Sequence, residues 1–222
     1  MTSVADAARD NAEWCDAMCR AHGSPGTFTA LAWTNPARTP PLYPDAVTLS
    51  PDATAADVLD HIDAGPGASV KDSFATLDLP GFEVLFEGQW IHREPPERRV
   101  PAIAWEVVAD AATLRDWEQA CFLGGVTGLF LQALLEEVTI VCGRIEGDIV
   151  CGSVLTARDR VVGVSNVYAS GCDMGTAWEG TVAMAADLYP GRPLVGWEID
   201  PADAVRHGFT TIGPLRVWSK VV

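Results

Sequence analysis

Three consecutive apolar, β-branched segments constrain this chain more than any other feature: Val138 to Ile145, Ile149 to Ala157 and Val161 to Ala169. Only Glu146-Gly147-Asp148 and Arg158-Asp159-Arg160 separate them. Links that short leave antiparallel hairpins as the solution, because a parallel return needs a long crossover. The spacing therefore predicts an antiparallel meander. A Gly-rich turn, Ser170 to Gly175, leads into a predicted helix over Thr176 to Tyr189, ended by Pro190-Gly191. Leu194 to Ile199 then reads as a strand, Asp203 to His207 as a short helix closed by Gly208, and Leu215 to Val222 as a final strand. That order lays helices on a mixed sheet, an α+β or α/β architecture.

Upstream, Asp10 to His22 reads as a helix with Trp14, Cys15, Met18 and Cys19 on one face and Gly23 as its stop. The Pro-rich stretch from Asn35 to Pro44 is loop. Ala46 to Leu49 reads as a strand, Ala53 to Ile62 as a helix, and Val70 to Leu79 and Phe82 to Ile91 as strands. Residues Arg93 to Pro101 (REPPERRVP) are polar and proline-bearing, which divides the chain into halves at 1–98 and 99–222. The second half opens with a strand, Ile103 to Val108, and a helix, Asp110 to Phe122, with Leu114, Trp117 and Cys121 inward. A further helical stretch ends at Leu135.

Composition narrows the function classes. A hydrophobic share of 48% excludes a disordered chain. No apolar run approaches the roughly 20 residues of a membrane span. The first residues have neither the basic nor the apolar region of a signal peptide, so a soluble cytoplasmic protein with no membrane partner is expected. Thirty acidic against fifteen basic residues give a net charge of −15, which argues against nucleic acid and favours a cationic small molecule. Six cysteines and four histidines show no Cys-x-x-Cys or His-Glu-x-x-His spacing, so buried reduced thiols are expected and no metal.

The order meander, Gly turn, helix, strand, short helix, Gly-Phe, strand over about residues 103 to 222 resembles the GCN5-related N-acetyltransferase (GNAT) superfamily. In that family a Gln/Arg-x-x-Gly-x-Gly/Ala motif opens the helix after the meander, and its backbone N–H groups hold the pyrophosphate of acetyl-CoA. Cys172-Asp173-Met174-Gly175-Thr176-Ala177 fits the spacing, and Ala204 to Phe209 resembles the family's Tyr-x-x-x-Gly-Phe ending. Cys172 replaces Gln or Arg, Asp173 adds a negative charge, Ala204 replaces the tyrosine, and no Lys or Arg lies between Arg160 and Arg192. In the first half, Val70 to Phe74 leads through Gly81-Phe82 to Trp90 much as Val195 to Ala204 leads through Gly208-Phe209 to Trp218. Tandem GNAT-like halves, the first degenerate, would give this echo.

The resemblance implies an acyl-CoA-dependent N-acyltransferase, using acetyl-CoA or another acyl-CoA as co-substrate and a small amine as acceptor. A GNAT-fold protein with another reaction, or a non-catalytic ligand-binding or regulatory module, stays open, as does the oligomeric state, a homodimer included. Glu198, the one carboxylate in the apolar strand Leu194 to Ile199, is the expected general base, unless it points to solvent. Tyr168 is expected to stand in for the missing acid, or to be an edge-of-core tyrosine. Val167, Ala169, Cys172, Gly175, Thr176 and Ala177 are the expected cofactor contacts, with Cys172 also readable as a passive turn residue. Asn166, Ser165 and Asp72 are the expected substrate contacts. Lys71, Asp72 and Ser73 read as a surface turn, or as a buried polar network.

Overall fold

A computed structural model describes residues 2–157 and 160–220. The expected turn at Arg158-Asp159 and the end of the last expected strand, Val221-Val222, lie outside the described residues. In chain order the elements are α1 (Val4–Ala21), β1 (Thr27–Phe28), β2 (Ala32–Thr34), β3 (Ala46–Thr48), α2 (Ala55–Leu59), β4 (Ser69–Asp72), β5 (Glu83–Arg93), β6 (Ala104–Val107), α3 (Ala111–Cys121), β7 (Thr139–Ile145), β8 (Asp148–Thr156), β9 (Val162–Ala169), α4 (Met174–Leu188), β10 (Leu194–Glu198), α5 (Ala202–Arg206) and β11 (Thr210–Ser219). They form two compact units. The first is Met1–Trp90 with Glu198–Asp200 and Ile212–Val222; the second is Ile91–Trp197 with Pro201–Thr211.

In the first unit, α1 starts six residues before its expected start because Ser3 and Asp6 form a reciprocal capping box. Its inner face, Ala12, Cys15 and Cys19, packs on Trp33 and Val47. The strand order is β1-β2-β3-β4-β11-β5, with β1, β2 and β3 antiparallel, β3 and β4 parallel, and β4 and β11 antiparallel. The expected strand Val70 to Leu79 stops at Asp72, where the chain turns. The wholly buried Asp72 carboxylate accepts the amides of Phe74 and Leu77, at 3.3 and 2.9 Å, and holds that turn. Lys71, Asp72 and Ser73 are all buried, so the surface-turn reading is corrected: they are interior polar residues. Lys71 Nζ donates to Asn11 Oδ1 at 2.8 Å.

The second unit has the strand order β5-β10-β9-β8-β7-β6. The meander β7-β8-β9 is antiparallel. Its first turn is the two residues Glu146 and Gly147, both at positive φ (52° and 97°), the twist that suits a tight hairpin. On β8, Gly152 lies beneath the Trp117 indole of α3, while neighbouring Cys151 packs with Ala177 of α4. Adjacent strand residues point to opposite faces, so α3 and α4 cover the two sides of the sheet. A Cβ at Gly180 would lie 1.9 Å from the Trp105 ring, so a bare backbone there lets α4 settle on the sheet.

The Val70-to-Trp90 and Val195-to-Trp218 stretches share a local geometry. Each begins with a strand paired parallel to its predecessor, β4 on β3 and β10 on β9. Each then reaches a left-handed glycine (Gly81 at φ 75°, Gly208 at φ 83°) followed by a buried phenylalanine, Phe82 or Phe209. No helix among the described residues is long and apolar enough to cross a membrane.

Burial draws the Lys71 pKa down to about 8, with Cys15 acting weakly in the opposite sense. Between that value and the ordinary lysine value the unfolded chain binds more protons, so this residue's contribution to stability rises with pH. The stability advantage of Lys71→Met over wild type is therefore expected to fall by about 1.4 kcal/mol per pH unit between about pH 8 and 10 in urea unfolding. A difference independent of pH would show that Lys71 is not buried as a charge.

Candidate functional site

The opening of the second unit arises from two strands that begin as partners and then part. β10 runs parallel to β9 over Leu194↔Val162, Val195↔Gly163 and Gly196↔Val164, and no pair follows. On the other side of β9 the register with β8 slips between Val154↔Ser165 and Gly152↔Tyr168. β9 thus carries one extra residue, a β-bulge, and Asn166 there adopts φ 52°. Asn tolerates the left-handed region better than most residues, which makes it a fitting residue for that bend. The bulge turns β9 while β10 runs on, and backbone groups in the last part of β9 lose their strand partner on the β10 side.

The structure brings several of the sequence-predicted residues together here. Val167, Ala169 and Cys172 pack in one apolar cluster with Ala177, Cys151 and Val150, on the α4 face of the sheet. Ser165 and Asn166, half-buried, sit at the bulge. Cys172 Sγ leans on the Val150 carbonyl at 3.6 Å, and the amides of Ser170 and Gly171 donate to the same oxygen. The turn is thereby stitched to β8. Cys151 beneath it is pushed up to about 12 by burial, with Cys172 adding to the effect.

At the start of α4 the chain supplies its own anion. Asp173 is the N-cap: its carboxylate accepts the Thr176 amide at 2.9 Å and the Thr176 hydroxyl at 3.1 Å. The Thr176 amide, then its hydroxyl, hold the Asp173 pKa below the usual carboxylate range. A Cβ at Gly175 would stand 2.8 Å from Asp173 Oδ1 and 3.8 Å from the His207 ring. Gly175 is therefore small because the cap and α5 crowd it. A pyrophosphate would compete with Asp173 for the same amides, so these residues fit such a group only with the Asp173 side chain turned out. Asp followed three residues later by Thr, ahead of an apolar run, is a helix-start signal that was legible in sequence.

Other expected residues lie elsewhere. Tyr168 faces α3, not α4: its ring meets Trp117 edge-on at 5.3 Å and its hydroxyl donates to the Trp117 carbonyl at 3.3 Å. Burial pushes its pKa up, which ill suits proton transfer, so the structure gives this hydroxyl a packing role. Asp72 belongs to the first unit and serves its own turn. Glu198 is the last residue of β10, is half-buried and falls in the first unit. Ala204 is buried, and its methyl joins the core with Trp178 and Phe209. Among the described residues no group of three or more His, Cys, Asp or Glu is placed to hold a metal ion. Glu118 escaped the sequence reading: buried in α3, it accepts the amides of Gly128, Leu129 and Phe130, each at 2.7 Å, and fixes that loop.

Comparison with solved structures gives this arrangement its class. The chain matches a GCN5-related N-acetyltransferase from Kribbella flavida with a TM-score of 0.61 and 17% identity, over 96% of this chain and 95% of that one. A GNAT-family acetyltransferase from Novosphingobium aromaticivorans matches with a TM-score of 0.60 and 13% identity, over 95% and 99%. The chain has the GNAT fold, a mixed sheet flanked by helices, in a divergent sequence. No protein-family model matches it, and no curated protein is significantly similar in sequence.

Tyr168→Phe removes one hydroxyl from a packed site without removing the ring. It is expected to cost about 1 kcal/mol of stability in denaturant unfolding and to leave coenzyme A affinity unchanged. A loss of affinity at unchanged stability would place the hydroxyl in the binding site.

Proposed function

We propose that this chain is an acyl-CoA-dependent N-acyltransferase, with acetyl-CoA the expected donor and a small amine the acceptor. The observation that carries the reading is the parting of β9 and β10 beyond Gly196↔Val164, within a GNAT fold. Unpaired backbone along the last part of β9 offers donors and acceptors to an extended amide-bearing chain such as pantetheine, much as a missing strand would. The apolar wall of Val167, Ala169, Cys172 and Ala177 suits its alkyl portion. At the start of α4, Gly175, Thr176 and Ala177 would meet the pyrophosphate once Asp173 swings aside.

In the reaction the amine nitrogen attacks the thioester carbonyl carbon. The C–N bond forms, the C–S bond breaks, the amine loses a proton to a base, and the thiolate leaves and is protonated. Glu198, the carboxylate that the sequence pattern singles out, is kept as the candidate base. Ser165 and Asn166 at the bulge are the candidate contacts to the acceptor. With Tyr168 engaged on Trp117 and Ala204 in the core, the leaving thiolate takes its proton from water. The acidic surface favours a cationic acceptor. A GNAT-fold protein with a different reaction is the second reading, favoured by the Asp173 cap on the helix end where the phosphates would bind.

Asp173→Asn separates the two. Asn caps as well as Asp does but carries no charge, so coenzyme A affinity by calorimetry is expected to rise by ~3- to 10-fold at low salt. An unchanged affinity would move the phosphates away from α4, and no binding by either protein would favour the second reading. With an acceptor in hand, Glu198→Gln is expected to lower kcat by ~10² to 10⁴ with the coenzyme A affinity intact. Near wild-type turnover would remove Glu198 as the base.

A further inference from the structure

We propose that Cys151 and Cys172 form a redox-active thiol pair, which a low-molecular-weight disulfide converts to a protein disulfide, independently of the acyl-transfer reading. Both residues belong to the second unit, and both are free thiols.

The geometry starts where β9 ends. Cys151 on β8 is the Cα partner of Ala169, the last residue of β9. A strand continuing from there would carry Cys172 away from Cys151. Instead the amides of Ser170 and Gly171 both donate to the Val150 carbonyl, at 2.8 and 3.0 Å, and fold the chain back onto β8. Cys172 Sγ then lies 3.6 Å from that carbonyl, which belongs to the residue next to Cys151. Cys151 and Cys172 pack in one cluster with Ala177 of α4. There the two thiols meet, within hydrogen-bonding reach of each other. On β7, a Cβ at Gly143 would come within 2.6 Å of the Cys151 sulfur, so the bare backbone makes the room in which that sulfur sits.

The two thiols differ in access. Cys151 is wholly buried, whereas Cys172 is half-buried in the turn before α4. That is the arrangement of a redox pair, in which an accessible thiol meets the oxidant and an inner one resolves the product. Cys15 and Cys19, one turn apart on α1, are both buried, so neither is open to a dissolved oxidant.

In the first step Cys172 loses its proton and attacks one sulfur of the oxidant. The oxidant's S–S bond breaks, a mixed disulfide forms and one thiol leaves. Cys151 then loses its proton and attacks the Cys172 sulfur. The mixed disulfide breaks, the 151–172 bond forms and the second thiol leaves. Two protein thiols are oxidised, one small disulfide is reduced, and the two protons end on the released thiols. Burial pushes Cys151 up to about 12, so little of it is ionised and it does not start the exchange. Contact offsets that handicap in the second step, because the two sulfurs meet within one folded chain rather than by collision.

Incubation of the full native chain with glutathione disulfide, then thiol blocking and peptide mapping without reductant, tests the pair. Wild type is expected to yield a disulfide joining the Cys151 and Cys172 peptides, and dithiothreitol to reverse it. In Cys151→Ala a glutathione adduct on Cys172 is expected to accumulate, because the resolving thiol is gone. In Cys172→Ser, Cys151 is expected to stay reduced, because the oxidant does not reach it. That second variant changes a half-buried turn residue and keeps the test open if the core variant fails to fold. A lasting adduct on Cys172 of wild type, a Cys172 that stays reduced, a bond from either residue to another cysteine, or oxidation of Cys151 in Cys172→Ser would each overturn the assignment.

Discussion

A contest between the two neighbours of β9 organises the second unit. β8 holds β9 along most of its length, but the register slips at the bulge, and β10 holds it for three residues only. One extra residue in β9, with Asn166 in the left-handed region, reconciles those pairings at the cost of a bend. The opening, the apolar wall beneath it and the position of the α4 N-terminus all follow from where β9 stops being shared. A sheet fully paired on both sides would bury these backbone groups in the ladder and leave nothing for a ligand to complete.

What surrounds the opening differs from what the GNAT pattern implies. The α4 N-terminus carries a partial positive charge that an anion stabilises, and here Asp173 already supplies one. The position of the family's tyrosine is an alanine buried in the core, and the nearby tyrosine lies on the opposite face of the sheet. Each departure removes a polar group from the opening or fills it internally.

Much of this was legible in the residues. The meander was, because β-branched runs joined by turns of two or three residues have few other folds; the observed strands start or stop within a residue or so of the expected ones. The parting of β9 and β10 was legible only through family resemblance, since nothing local in Val161 to Ala169 marks Asn166 as a bulge. The expected strand Val70 to Leu79 failed beyond Asp72 because alternation says nothing about a buried carboxylate that turns the chain. Of the two readings of Tyr168, the edge-of-core one fits its contacts with Trp117, and the face it takes was hidden for a related reason. Strand alternation fixes its face only once the bulge is known, and the bulge shifts that phase by one residue.

Hydrogen exchange resolved by peptide, with and without acetyl-CoA, tests the central claim most directly. If the unpaired part of β9 receives the donor, slowed exchange is expected in residues 165–169 and in the first turn of α4, with β7 and β8 unchanged. Acetyl-CoA binding that leaves 165–169 exchanging at its original rate would contradict the assignment of the β9–β10 opening as the acyl site.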